Sequence, residues 1–497
     1  MADSTKGVIA IPKPADVNAK SRRKMGFRFQ RRYLVAIMAF LGFFNVYSLR
    51  VNLSMAIVAM TANRTETVNG TTTYVQEFTW NSKEQGLVLG SFFYGYIVTQ
   101  IPGGWLAPRL GASRLYCLGI FATALLTIFT PLIATTGLIP LVATRIIEGL
   151  FEGVTFPAMH SLWSNWAPPL ERSILVATAY SGSYFGTVIS MVACGVLAEN
   201  YGWPSIFYVF GGIAIVWCIA WIILIKDSPQ EDPYVSQEEL DYIVTSIGSG
   251  RPVTHLKPPW KSILTSMPVW STVVAHFTEN WGFYTMLTQL PTFLSDTSNL
   301  KLDKTGFLSA LPYLCMAIIV MLGGQIADWL QKRWKVTTTA VRKFFTCTAF
   351  LGQGAFLLAT AYATSLSSAV TFLCLAVGFG GCAISGYSVN QLDIAPQYAS
   401  ILLGLSNTVA TLPGIISPSV TGAIVLTKSA SEWHIVFYIA AALYIAGAIF
   451  YIIFASGDRQ SWSPPLNPAT SGQITPSDSM AFHTSTEAIY GTMVKEP

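Results

Sequence analysis

Residues 204–226 read PSIFYVFGGIAIVWCIAWIILIK, an apolar run whose one charged residue, Lys226, stands at its end. A run of about 20 apolar residues is long enough to cross a bilayer as a helix. The 497-residue chain is 52% hydrophobic and 11% charged, whereas about 25% of the residues of soluble globular proteins are charged. We therefore expect an all-α, multi-pass membrane protein. Twelve transmembrane helices are predicted, at about 33–60, 84–107, 114–135, 138–162, 171–199, 204–226, 267–295, 304–330, 338–362, 367–393, 398–426 and 432–456.

Basic residues predict which side of the membrane each end of the chain faces. Nine Lys or Arg residues precede Tyr33, and Lys332, Arg333 and Lys335 lie between the eighth and ninth predicted spans. Because cytosolic segments carry an excess of Lys and Arg, both regions are expected in the cytosol, and twelve spans return the C-terminus there. The predicted organisation is a basic cytosolic N-terminal tail (1–32), a six-helix bundle (33–226), a cytosolic linker (227–266), a second six-helix bundle (267–456) and a cytosolic C-terminal tail (457–497).

Short motifs bear on the location of the protein. Asn63 and Asn69 each begin an Asn-X-Thr tripeptide in the loop after the first span. The predicted topology places that loop outside the cytosol, so both are predicted glycosylation sites. In the C-terminal tail, Tyr490-Gly491-Thr492-Met493 matches a tyrosine-based signal that a cytosolic sorting adaptor would bind. We expect a lysosomal membrane protein, with the plasma membrane and the synaptic vesicle as alternatives.

Charged residues inside the fourth predicted span indicate where the protein works. A charge at the centre of a membrane helix costs roughly 2.5–3.5 kcal/mol on insertion scales, so it needs a partner or a watery cavity. At 100° per residue, Arg145, Glu148 and Glu152 lie within an arc of about 60° on one helix face. His160 falls on roughly the same side, although Pro157 is expected to kink the helix between them. The polar stripe is predicted to line a transport path.

An excess of acid over base suggests coupling to protons. Arg50 and Arg145 are expected to share the cavity with three carboxylates, Glu148, Glu152 and Glu279. Since arginine stays charged, protonation of a carboxylate or a histidine must relieve the imbalance. We predict Glu152 as the better proton carrier, because its local partner does not fully balance it.

Each polar candidate has a functional interpretation and a structural alternative. Arg50 has a planar fork suited to a carboxylate and is predicted to hold the anionic substrate, unless it pairs with Glu148 or Glu152. Arg145 and Glu148, three residues apart, could neutralise one another or act in gating. Proton coupling is predicted for Glu148, Glu152 and His160, the last with a hydrogen-bonded core histidine as its alternative. Substrate contacts are predicted for Asn280 and Tyr284, one helical turn apart, and more weakly for Ser388 and Asn407, all of which could be packing residues.

Related loops follow the second span of each half. Residues 103–111 read GGWLAPRLG, and residues 323–329 read GGQIADW. Both resemble the loop motif of the major facilitator superfamily, in which a glycine, an aspartate and basic residues act in gating. Asp328 keeps the acidic position, whereas Pro108 replaces it in the first copy. The resemblance implies the superfamily fold of twelve helices in two six-helix bundles, and it implies gating or structural roles for Arg109, Arg145, Glu171, Arg172 and Asp328.

Longer stretches narrow the resemblance. Residues 49–54 (LRVNLS), 148–160 (EGLFEGVTFPAMH) and 166–173 (WAPPLERS) resemble the anion-transporting facilitators, which include sialin, the vesicular glutamate transporters and the type I phosphate transporters. The chain is identified as a sialin-like member of this family. The resemblance implies that the acids and the histidine of residues 148–160 act in proton coupling. Glu279 stands where the vesicular glutamate transporters carry an arginine, which argues against a dedicated glutamate carrier.

The sequence thus predicts a proton-coupled symporter of small organic anions, most of all sialic acid and other acidic sugars, working by alternating access. A sodium-coupled phosphate transporter and a vesicular acidic amino acid transporter are alternatives, and an anion channel is the alternative of a different class. The sequence shows no P-loop, His/Cys metal cluster or nucleophile elbow, so no cofactor, metal, enzymatic activity or nucleic-acid partner is expected. The expected partners are a small anion, protons and the lipid bilayer.

Overall fold

The computed structural model describes residues 30–68, 71–168, 171–247, 258–298, 300–395 and 398–463. The helices are α1 (Arg31–Met60), α2 (Ser82–Leu110), α3 (Ala112–Ala134), α4 (Leu138–Glu152), α5 (Thr155–Trp166), α6 (Arg172–Tyr201), α7 (Pro204–Leu224), α8 (Gln237–Ile247), α9 (Trp260–Thr265), α10 (Met267–Thr297), α11 (Leu302–Trp334), α12 (Thr338–Ala361), α13 (Leu366–Ala383), α14 (Val389–Ile394), α15 (Ala399–Ile424) and α16 (Ala430–Phe454). Two antiparallel strands, β1 (Asn63–Val68) and β2 (Thr71–Gln76), lie between α1 and α2.

The apolar runs of the sequence form the membrane-crossing helices. Nine helices within the described ranges are long and apolar enough to span a bilayer. The other three predicted spans correspond to α2, to α4 with α5, and to α10. α4 is only 15 residues long, and α2 and α10 contain many polar residues. Together these units account for the twelve predicted spans.

The fourth predicted span consists of two helices, α4 and α5, joined by two residues. α4 ends at Glu152, and the chain resumes helical structure at Thr155. Pro157, the third residue of α5, cannot donate a backbone hydrogen bond to the preceding turn. Gly153 and Val154, which join the two helices, keep right-handed helical backbone angles (φ −60°, ψ −21° and φ −81°, ψ −12°), so the span is kinked here, as expected, rather than interrupted.

The tenth predicted span is also distorted. A π-helical turn at residues 384–388 separates α13 from α14, and Gly386 within it has non-helical backbone angles, φ −94° and ψ −107°. Single π turns inside α-helices frequently mark functional positions. The tenth span is therefore a helix with one distorted turn, which packs against the core of the C-terminal bundle.

Segments expected to be loops contain further elements. The loop after α1 is a β-hairpin, and the predicted linker at 227–266 contains α8 and α9. α8 carries Glu238 and Glu239 in its first turn, where carboxylates interact favourably with the helix dipole. The hairpin marks one side of the membrane-crossing helices and the linker marks the other.

Two hydrophobic cores organise the helices, and the two bundles meet along two helix pairs. Residues from α1, α3, α5 and α7 dominate one core, and residues from α10 to α13 and α16 dominate the other. Between the bundles, α2 packs against α15 and α6 against α11. On the hairpin side, a Cβ at Gly195 would lie 2.5 Å from the Leu302 carbonyl oxygen, so only glycine permits this approach. The bundles are thus packed tightly together on the hairpin side.

Candidate functional site

Arg50 and Glu152 form a buried ion pair between α1 and α4. The Nε and Nη2 atoms of Arg50 donate to Glu152 Oε1 at 2.9 and 2.5 Å. The guanidinium lies over the rings of Tyr47, Phe92 and Tyr96, with distances of 4.8, 5.1 and 4.7 Å to the ring centroids. The other carboxylate oxygen, Glu152 Oε2, is buried, and none of the described residues is its hydrogen-bond partner. Arginine is thus held by aromatic faces, while one acceptor of its partner stays unsatisfied.

A second ion pair lies beside the first. Arg145 Nη1 donates to Glu148 Oε2 at 2.5 Å, within α4. The hydroxyls of Thr127 and Thr130 on α3 lie 3.4 Å from Glu148 Oε1. Arg145 also lies over the ring of Phe92, 5.2 Å from the centroid. Arg145 and Glu148 therefore neutralise one another, which was one of the two outcomes predicted from their three-residue spacing.

The carboxylate in excess over the two arginines is Glu279, whereas the sequence favoured Glu152. Glu152 was expected not to be fully balanced by its local partner, and Arg50, which was named as a possible partner, neutralises it from another helix. Each arginine of the N-terminal bundle core thus has its own carboxylate. The third acid, Glu279 on α10, accepts a hydrogen bond from Gln353 Nε2 at 2.7 Å and belongs to the C-terminal bundle.

His160 lies apart from the two ion pairs. It is an exposed residue of α5, and its ring centroid is 5.7 Å from that of Tyr180 on α6. The kink between α4 and α5 separates His160 from the charged residues of α4 along the span. His160 lies in the half of the span nearer the linker.

Tyr284 is the predicted substrate contact that lies nearest to the ion pairs. Its buried ring packs edge-on against Phe93 of α2 at 4.6 Å between centroids, and it interacts electrostatically with Arg50. Asn280, one turn earlier, instead donates to the Ala410 carbonyl oxygen at 2.8 Å. The structure therefore separates the two residues: Tyr284 faces the N-terminal bundle, and Asn280 joins α10 to α15.

The two weaker candidates also differ. Asn407 Nδ2 donates to Gln100 Oε1 at 2.5 Å, and Gln100 Nε2 donates to Thr411 Oγ1 at 3.2 Å. These bonds connect α15 to α2 across the bundle interface. Ser388 is a half-buried residue at the end of the π-helical turn.

Comparison with known proteins decides the family. The family model described as Major Facilitator Superfamily matches residues 34–418. Sialin of Homo sapiens is 44% identical over 449 residues, covering 87% of this chain and 90% of sialin. Vesicular glutamate transporter 3 of Danio rerio is 45% identical over 446 residues, covering 89% and 76%. The chain belongs to the major facilitator superfamily, in its sialin and vesicular glutamate transporter family. The predicted family and fold are confirmed, and the protein is a transporter rather than an enzyme.

Solved structures agree with this facilitator fold. A bacterial homologue of the human lysosomal transporter Spinster, inward-facing and occupied, gives a TM-score of 0.66 at 14% identity and covers 85% of this chain and 96% of its own. The D-xylose–proton symporter gives 0.67 at 13% identity, covering 86% and 98%. At such low identity the likeness concerns the fold alone.

A charged cluster on the linker side of this facilitator was missed by the sequence analysis. Arg31 Nε donates to Asp232 at 2.9 Å, and Arg32 Nη1 donates to Glu239 at 3.2 Å. Arg32 also donates through Nε and Nη2 to the two carboxylate oxygens of Glu171, at 2.8 and 3.0 Å. The cluster ties the start of α1 to the linker and to the turn before α6. The available signal was the basic tail, which was interpreted only as a topology determinant.

Glu171 makes a pH-dependent contribution to stability in this cluster. Hydrogen bonds from the Arg32 guanidinium hold the pKa of the Glu171 carboxyl below its ordinary value of 4.5. Because the folded-state pKa is lowered, the stabilisation is complete above the ordinary pKa and is lost as the pH falls through the lowered value. We expect Glu171→Gln to cost about 1 kcal/mol at pH 7 and clearly less at about pH 2. Thermal unfolding in detergent at both pH values measures this, and an equal loss at both would contradict it.

The remaining predicted residues lie at the predicted gating loops, in the hairpin and in the C-terminal tail. The guanidinium of Arg109 stacks over Trp105 at 3.5 Å from the ring centroid. Asp328 lies in α11 and Arg172 begins α6, but their side chains lie outside the described part of the structure, as does that of Asn63 in β1. Asn69 and the motif Tyr490–Met493 lie outside the described residues, so their predicted roles stay predictions.

One further ion pair was missed. Arg342 of α12 donates through Nε to Asp393 at 2.6 Å and through Nη1 to the Ser385 carbonyl oxygen at 2.9 Å. Ser385 belongs to the π-helical turn, so this arginine bridges the distorted segment. The residues are far apart in sequence, and no local pattern relates them.

Proposed function

We propose that this transporter is a proton-coupled symporter of small organic anions, with sialic acid and other acidic sugars as the first candidates. The observation that carries the proposal is the buried Arg50–Glu152 pair, with Tyr284 of the opposite bundle beside it. The pair supplies a carboxylate-binding arginine at the interface between the bundles. Sialin, a relative at 44% identity, favours an acidic sugar as the anion.

Substrate binding and proton binding would be linked through competition for Arg50. A substrate carboxylate that binds the guanidinium fork must displace the carboxylate of Glu152. A buried ion pair that loses one partner leaves an uncompensated charge, which costs about 3–5 kcal/mol. A proton on the displaced Glu152 removes that charge, so binding of the anion favours uptake of a proton.

The other predicted residues support this exchange. The Arg145–Glu148 pair keeps the second carboxylate of α4 occupied, so the exchange at Arg50 is local to one acid. His160, in the half of this span nearer the linker, would pass protons between water and the bundle. The bonds between Gln100, Asn407 and Thr411 would break and re-form when the bundles rock.

Uptake into liposomes tests the proposal. Purified transporter is reconstituted, and a proton gradient or a sodium gradient is imposed in turn, with radiolabelled sialic acid, glutamate and phosphate as probes. We expect sialic acid to accumulate under the proton gradient and not under the sodium gradient. Accumulation of phosphate driven by sodium alone would overturn the proposal.

A vesicular acidic amino acid transporter is the second candidate. The vesicular glutamate transporters are as similar to this chain as sialin is, at 45% identity. Against it, Glu279 stands on α10 where the vesicular glutamate transporters carry an arginine, so this position lacks a cation that could hold an acidic amino acid. Glutamate uptake in the same liposomes separates the two candidates.

The proposed location is the lysosomal membrane, with both termini in the cytosol and the β-hairpin in the lumen. Asn63 on β1 and Asn69 are then available to luminal glycosylation. We expect Asn63→Gln and Asn69→Gln each to remove one glycan and the double variant to be insensitive to glycosidase. Gel mobility before and after digestion measures this. Unchanged mobility in all variants would contradict the proposed orientation.

A further inference from the structure

The C-terminal bundle buries one carboxylate that the site around Arg50 does not use. Glu279 is 5% exposed, and its Oε2 accepts a hydrogen bond from Gln353 Nε2 at 2.7 Å. The amide oxygen of Gln353 accepts in turn from the Tyr444 hydroxyl at 2.6 Å. Over the described residues, the ion pairs include no partner for Glu279. Its polar neighbours are therefore neutral, unlike those of Glu148 and Glu152.

The space around Glu279 is apolar. The carboxyl group borders a cavity of about 10 Å³, which is also lined by Met286, Met316 and Leu357. A space of this size holds about one water molecule. An ionised carboxylate with one amide donor and no cation is very costly in such surroundings, whereas the neutral acid is not.

The groups that face Glu279 come from several helices. The titratable ones are Tyr184 on α6, Cys382 on α13, Tyr387 in the π-helical turn, Tyr444 on α16 and His276 on α10 itself. His276 is held by Ser406, whose hydroxyl lies 3.2 Å from Nδ1, and lies against the ring of Tyr387. Among the described residues, this set of neighbours includes no arginine or lysine. The neighbours therefore favour a neutral acid.

Glu279 lies close to the π-helical turn and to the opposite bundle. Tyr387 belongs to the π-helical turn, Cys382 lies in the last turn of α13 beside it, and Tyr184 belongs to the other bundle. A change in the packing of the bundles therefore changes the surroundings of the carboxyl group. A buried acid whose surroundings differ between two states is suited to take up a proton in one and release it in the other.

We propose that Glu279 is a second proton site, occupied in the arrangement described here, whose proton travels with the anion in addition to the one that Glu152 exchanges. On release the O–H bond of the carboxyl group breaks and the proton passes to water on the receiving side. The proposal rests on the proposed proton-coupled function. It adds to that function a second proton per anion, held in the C-terminal bundle.

The proton count is measured by accumulation at equilibrium. Liposomes are clamped at zero membrane potential with a pH difference of about one unit, and the probe is radiolabelled sialic acid, or glutamate if the uptake panel selects it. Each coupled proton multiplies the accumulation ratio by about ten per pH unit. We expect a ratio of about 100 for the unaltered protein and about 10 for Glu279→Gln, which preserves the shape of the side chain. Glu279→Asp, which keeps an ionisable carboxyl group, is expected to keep an accumulation ratio close to that of the unaltered protein.

The outcomes distinguish the two proposals. Equal ratios for the unaltered protein and Glu279→Gln would overturn the role of Glu279 and leave the proton-coupled function intact. A ratio near one for the unaltered protein would overturn the proton-coupled function itself, and the second proton with it. Loss of transport in Glu279→Gln with full recovery in Glu279→Asp supports the titratable role, whereas loss in both assigns Glu279 a structural role and overturns the proposal.

Discussion

Replacing Arg50 with lysine is expected to reduce anion uptake about 100-fold while the protein still reaches the membrane. Both donors that Arg50 uses toward Glu152 lie in one plane, and a lysine ammonium cannot reproduce that fork. Lysine is also a compact, strongly hydrated charge, so it fits poorly between the rings of Tyr47 and Tyr96. The charge of the pair is retained, so the loss reports on the geometry of carboxylate binding. Initial rates of proton-driven uptake in liposomes measure it.

A matched variant keeps this experiment specific. The Arg114 side chain is 82% exposed and lies 3.9 Å from Asp227 on the linker side. Arg114→Lys makes the same chemical change outside the bundle core, and we expect uptake within a factor of about two of the unaltered protein. Normal uptake by Arg50→Lys would exclude Arg50 as the substrate-binding arginine. An equal loss in both variants would point to a general effect on the protein.

The membrane helices could be predicted from the sequence because their signal is local. Runs such as residues 204–226 contain enough apolar residues in a row to identify a span without any partner. The Arg145–Glu148 pair was likewise within reach, since three-residue spacing places both side chains on one helix face. The pairing of Arg50 with Glu152 was named only as one of two alternatives, because Glu152 lies 102 positions away and only packing decides between it and Glu148.

The errors have equally specific physical causes. The β-hairpin had a signal, since Asn69-Gly70 stands between two stretches rich in threonine and valine, a typical hairpin pattern. That stretch was interpreted as a glycosylated loop. The kink between α4 and α5 was expected from Pro157, but its position at Gly153 and Val154 was not. Assigning the surplus charge required knowing that Glu279 faces Gln353, and spacing along one helix cannot show this.

Glu152→Gln is expected to separate anion binding from proton binding. Glutamine can still accept a hydrogen bond from Arg50, but it neither neutralises the guanidinium nor exchanges a proton. In the unaltered protein the anion must displace a charged Glu152, so its affinity falls as the pH rises and the acid loses its proton. In the variant this competition is absent, so we expect the pH dependence that Glu152 contributes to anion affinity to disappear and only the part due to Glu279 to remain. Binding measured by isothermal titration calorimetry between pH 5 and pH 8 tests this.

The same substitution is expected to destabilise the empty protein, and bound substrate is expected to restore stability. Without Glu152 the buried Arg50 charge is uncompensated, which costs about 3–5 kcal/mol in the empty protein. A bound anion supplies the missing negative charge, so saturating substrate should raise the melting temperature of Glu152→Gln more than that of the unaltered protein. Glu152→Asp keeps the charge and the exchangeable proton, and it should retain the pH dependence. If Glu152→Gln bound the anion with unchanged pH dependence and gained no extra stability from it, Glu152 would not be the residue that the substrate displaces.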